Sequence, residues 1–101
     1  MTVRDNSEQH QYEIDVDGEL AGWIVYRRNG DVVAMLHTEV EPEHEGKGVG
    51  AALAKGALDD VRDHGLKVLP LCPFVAQYMK RHPEYSAIVD PPHRWMIDPG
   101  S

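Results

Sequence analysis

One cysteine, Cys72, in 101 residues leaves no internal disulfide to brace a fold, and points to the cytoplasm. Basic charge is also short: ten Lys and Arg stand against 17 Asp and Glu, a net charge of −7. Such a surface repels phosphate backbones at long range, which argues against nucleic acid as the main partner. Aromatic residues make up only 7% of the chain. No run approaches the ~20 apolar residues needed to cross a bilayer, so no membrane partner is expected. Residues 1–9 mix Arg4 with Asp5 and Glu8 and carry no apolar stretch, unlike a signal peptide. Repeats and low-complexity segments are absent. The length fits one domain over 1–101, with its core at about 10–85.

What is present is a change of period. Gln11–Val16 alternates Tyr12, Ile14 and Val16 with polar residues, as a half-buried strand does. Asp17-Gly18 reads as a hairpin turn, 20–28 as a second strand and Asn29-Gly30 as a second turn. Val32–Val40 is the third strand, with Val33, Met35 and His37 expected on one face. From 48 to 64 the apolar residues Val49, Leu53, Ala57 and Val61 recur at helical spacing, and Gly65 suits the left-handed residue that ends a helix. A fourth strand over 67–72, reached by this crossover helix, should run parallel to the third. Pro73 opens a last helix, Pro73–Arg81, which Pro83 stops. Residues 86–101 read as an irregular tail packed back by Trp95, with room for one short strand.

Between the third strand and the crossover helix lies Glu45-Gly46-Lys47-Gly48-Val49-Gly50. Glycine alone adopts the left-handed turn conformations cheaply, and it keeps side chains away from the backbone N–H groups. At a helix start those N–H groups, aided by the dipole, form a phosphate cradle, to which Lys47 adds a point charge. A Walker A loop is excluded because no Ser or Thr follows the lysine. Gly46, Gly48 and Ala51 match a dinucleotide fingerprint in form, but that motif belongs directly after the first strand of a parallel unit, not after an antiparallel meander.

The stretches Thr38-Glu39-Val40-Glu41-Pro42 and Glu45 to Leu53 resemble the acetyl-CoA signature of the GNAT superfamily, with Glu45 standing where Gln or Arg is usual. Leu71-Cys72-Pro73-Phe74 and His82-Pro83-Glu84-Tyr85 extend the likeness to its minimal, roughly hundred-residue subfamily. The resemblance implies an α/β (α+β) fold: a mixed, mostly antiparallel sheet of four or five strands with a crossover helix and a C-terminal helix. It further implies a truncated GNAT fold lacking the first two helices. Acetyl-CoA would be the cosubstrate, an amine on a small molecule or a protein lysine the acceptor, and N-acetyl transfer the reaction. The glycine turn would hold the pyrophosphate. The backbone of Thr38 and Val40 would pair with the pantetheine arm, between strands splayed near Pro70. Tyr78 would be placed to protonate the leaving thiolate.

Cys72 falls at the N-cap of the last helix, where the dipole favours a thiolate, and His37 near the end of the neighbouring strand is a candidate base. Two routes stay open: transfer through acetyl-Cys72, or direct attack by the amine with His37 or water as base. A buried, inert cysteine and a core histidine are the plainer alternatives. So is a CoA-binding sensor or interaction module without turnover. The six histidines show no zinc-site spacing, so no metal is expected, and the cluster Glu43-His44-Glu45 reads as solvated.

Overall fold

A computed structural model describes residues 1–97. Five strands lie in chain order: β1 (Thr2–Asn6), β2 (Gln11–Val16), β3 (Glu19–Asn29), β4 (Val32–Val40) and β5 (Lys67–Pro70). The first four are antiparallel and β5 joins β4 in parallel, through the crossover helix α1 (Val49–Asp63). Helix α2 (Pro73–Arg81) and two 3-10 segments, Pro83–Ile88 and Pro91–Ile97, follow.

The strand absent from the sequence reading is β1. Its Thr-Val-Arg-Asp-Asn has only one aliphatic residue, so neither period nor propensity marks it. Tertiary contacts supply what propensity lacks. Val3 packs against the core, and Arg4 pairs with Glu13 at 2.5 Å and with Asp15 at 3.0 Å on β2. Asp5 accepts a hydrogen bond from the Tyr26 hydroxyl at 2.7 Å.

The core fills one face of the sheet. Tyr12, Ile14, Ile24, Tyr26, Val33, Met35 and Val68 meet Val49, Leu53, Ala57, Leu58 and Val61 of α1 and Val75 and Met79 of α2. The stripe read from the sequence of α1 is the buried one, and Gly65, at φ +69°, ends that helix as expected. The tail differs from expectation. Trp95 is 61% exposed, and the residues that return to the core are Ile88, Val89 and Ile97. Val89 forms an isolated parallel bridge to Val68, in place of a strand. Pro99 and the end of the expected tail lie outside the described residues.

Two bulges set what faces the core. In β3 the register steps over Ala21, because Ile14 pairs with Gly22 and Asp15 with Leu20. In β4 it steps over Leu36, because Val25 pairs with His37 and Tyr26 with Met35. An extra residue in one strand inverts the alternation beyond it. Before the bulge Val33 and Met35 point inward; after it Thr38, opposite buried Ile24, points inward and His37 does not. The expected grouping of His37 with Val33 and Met35 is therefore corrected.

Candidate functional site

Strands β4 and β5 stay paired only from Val32↔Lys67 to Met35↔Pro70. Pro70 has no N–H to extend the ladder, so the sheet parts where proline is tolerated. Beyond it the Leu71 N–H turns back to the Leu69 carbonyl at 3.0 Å, and the Cys72 N–H takes the Met35 carbonyl at 2.8 Å. Residues 36–40 of β4 continue without a β5 partner, so a backbone edge is left open. Beside it lies a cavity of about 650 Å³. Its walls come from three places: Thr38, Glu39 and Val40 of β4; His44 to Ala51 except Lys47; and Phe74, Gln77, Tyr78 and Arg81 of α2.

The glycine turn forms one end of this cavity. Gly46 and Gly48 have φ of +78° and +76°, a region that costs other residues a strained backbone. Gly48 is also the N-cap of α1, with no side chain capping the helix, so the N–H groups of its first turn remain available at the positive end of the dipole. Gly50 is needed for another reason: a Cβ there would stand 2.8 Å from the Phe74 ring. Glu45 lines the cavity but is exposed, while Lys47 is exposed and outside the lining.

Cys72 holds the N-cap position of α2 as expected, without a side-chain capping hydrogen bond, but it is 3% exposed and does not line the cavity. Its Sγ lies 3.2 Å from Oγ1 of Thr38, which does. His37 is not brought to Cys72, because the bulge at Leu36 turns it to the other face. There its Nε2 sits 2.6 Å from Oε1 of Glu39, with both side chains more than half exposed. Tyr78 lines the cavity and stacks on His82 with ring centroids 4.1 Å apart. Burial raises the Tyr78 phenol above its ordinary value, with Lys55 pulling it down and Glu84 and Asp59 adding to the rise.

Sequence reasoning missed two side chains. Thr38 was expected to act through its backbone, yet its hydroxyl is the group against Cys72. The signal that would have found it is the bulge, which leaves no trace in composition. His44 was read as solvated. The 3-10 turn Pro42–His44 instead brings it to the cavity lining, with the side chain only 12% exposed. Among the described residues there is no group of three or more His, Cys, Asp or Glu placed to hold a metal ion.

Comparison with known proteins agrees with this geometry. Residues 11–88 match the family described as GCN5-related N-acetyl-transferase. Protein NATD1 of Mus musculus is 30% identical over 83 residues, covering 80% of this chain and 76% of that protein. Protein NATD1 of Xenopus tropicalis is 37% identical over 83 residues, with the same coverages of 80% and 76%. A GCN5-like protein from Staphylococcus aureus, solved by NMR, superposes with a TM-score of 0.66 at 23% identity, over 88% of this chain and 87% of that one.

Proposed function

The chain belongs to the GCN5-related N-acetyltransferase family, and from that premise we propose that it transfers acetyl from acetyl-CoA to an amine. The observation that carries this reading is the cavity. It joins a helix N-terminus with two left-handed glycines to an open strand edge. The first suits a pyrophosphate and the second the amides of a pantetheine arm, which pair with β4 as an added strand would. Thr38, Glu39 and Tyr78 of the lining would flank a thioester drawn along that edge.

The direct route fits the geometry better than the acetyl-Cys72 route. In it the amine nitrogen attacks the thioester carbonyl, the C–S bond breaks, and Tyr78, kept protonated by its raised pKa, gives a proton to the departing thiolate. The amine's proton passes to water or to His37, which stands outside the cavity lining but is paired with Glu39, which lines it. Through acetyl-Cys72 the thiol would first exchange thioesters with CoA, and the amine would then attack the acetylated Sγ. That thiol is buried behind Thr38, so the route requires Thr38 to move.

Intact-mass spectrometry after incubation with acetyl-CoA tests the reading, alongside CoA release with a panel of amines. Release without a stable adduct supports direct transfer. An adduct of about 42 Da on Cys72 that an amine removes supports the two-step route. Tight CoA binding with neither outcome leaves a sensor that performs no turnover.

A further inference from the structure

His44 presents an unsettled polar account. Both ring nitrogens are buried, and neither has a hydrogen-bond partner among the described residues. The nearest charge is the Glu19 carboxylate, 4.0 Å from Nε2, which is too long for a hydrogen bond. A buried imidazole without partners is costly, and such groups call for an explanation. The ring is held there by its backbone: the His44 N–H donates to the Glu41 carbonyl at 2.8 Å and the Glu45 N–H to the Pro42 carbonyl at 3.3 Å. It lines the cavity beside Glu45, Gly46 and Gly48.

We propose that a ring N–H of His44 donates to a phosphate oxygen of the nucleotide part of the ligand, supplying the side-chain contact that Glu45 does not. Three observations converge. The unpaired ring lies next along the chain to the glycine turn. Glu45 is exposed and anionic, so it repels a phosphate and has no donor to offer. Lys47, the nearby cation, stands outside the cavity lining. His44 is therefore the only residue between His44 and Ala51 that both lines the cavity and carries a side-chain nitrogen. The inference rests on the acetyl-CoA reading and adds a specificity-determining residue to it.

The test compares wild type with His44→Phe, which fills the same space without a donor, and His44→Gln, which restores one. Calorimetry gives the affinity for CoA, and an NMR titration that for pantetheine, which lacks the nucleotide and both bridging phosphates. His44→Phe should bind CoA about tenfold more weakly, the loss of one charge-assisted hydrogen bond. Pantetheine affinity should stay within about twofold, and His44→Gln should recover part of the loss. The unliganded Phe variant should melt no lower than wild type, since an unsatisfied buried group has been removed. Unchanged CoA affinity in His44→Phe overturns the proposal, as does an equal loss for pantetheine. A wild type that binds no CoA overturns the acetyl-CoA reading itself, and that result appears before any variant is made.

Discussion

The Cys72 thiol sits 3.2 Å from the Thr38 hydroxyl, and only Thr38 of the two faces the cavity. The contact joins the N-cap of α2 to the unpaired half of β4, across the point where the two strands separate. It puts a cavity-lining hydroxyl in contact with the buried thiol.

Thr38→Ala tests whether that hydroxyl shields the thiol. Alkylation of Cys72 by iodoacetamide should become about tenfold faster, because the thiol gains both access and freedom from its partner. Mass spectrometry of the time course measures it. An unchanged rate would mean that the thiol is sealed by something other than Thr38.

His37→Ala and Cys72→Ala separate the two routes. Under direct transfer with His37 as the base, His37→Ala should lower kcat/KM for the amine by about 10²-fold or more, the usual contribution of a positioned base. Cys72→Ala should lower it less than about threefold, while costing about 1 kcal/mol of stability for the lost sulfur. The reverse order would establish the acetylated thiol as the working intermediate. Since His37 is exposed and its pair with Glu39 lies in water, its removal should shift stability by less than about 0.5 kcal/mol.

Tyr78→Phe should leave CoA affinity nearly unchanged and reduce turnover. The phenol's pKa is raised from 10.0, chiefly by burial, so it stays protonated at neutral and mildly alkaline pH. The wild-type rate should show no decline from this group until pH passes about 10. That limb should be missing in the Phe variant.

Gly56→Ala tests the anchoring of β1. A Cβ at Gly56 would come within 2.6 Å of the Val3 Cβ, which belongs to a strand and cannot swing aside. Overpacking costs about 1–3 kcal/mol, against about 1 kcal/mol regained in helix propensity. The net expectation is a melting temperature lower by several degrees. Adding Val3→Ala should recover most of it, and the double-mutant cycle should show clear coupling.

Glu13 sets a pH dependence. Burial raises its pKa, but hydrogen bonds from Gln11 and Asn6 and the charge of Arg4 outweigh that and hold it below 4.5. A carboxyl depressed in the folded state contributes stability above its unfolded value, and that contribution is lost as pH falls through the folded one. Glu13→Gln should thus be less stable than wild type by about 1 kcal/mol at pH 7. Urea titrations should show the gap closing as pH drops below about 4.5.

Much of this was legible in the residues, for identifiable reasons. The helical stripe from Val49 to Val61 and the turns at Gly18 and Gly30 depend on local patterns, and local patterns are what a sequence displays. The glycine turn was legible because φ near +77° at Gly46 and Gly48 leaves few other choices. The position of His37 was not, because one extra residue at Leu36 reverses every side chain after it without altering the period before it. Strand β1 escaped for a related reason. Its partners Glu13, Asp15 and Tyr26 lie on β2 and β3, outside the segment whose pattern would mark it. Ile97 rather than Trp95 returns to the core because hydrophobic size alone does not say which residue of a 3-10 turn faces inward.

The bridge from Val89 to Val68 has a consequence for how this protein behaves in company. Asp90 donates its N–H to the Val68 carbonyl at 2.8 Å, and Lys67 reaches the Ala87 carbonyl at 3.1 Å, so the tail occupies the outer border of β5. That border is only four residues long and ends in a proline. The opposite border is β1, five residues carrying Arg4 and Asp5. Short, charged or occupied margins give an incoming chain little template for adding strands. A sheet with an interior edge open at residues 36–40 thus offers little template for strand addition at its two outer edges.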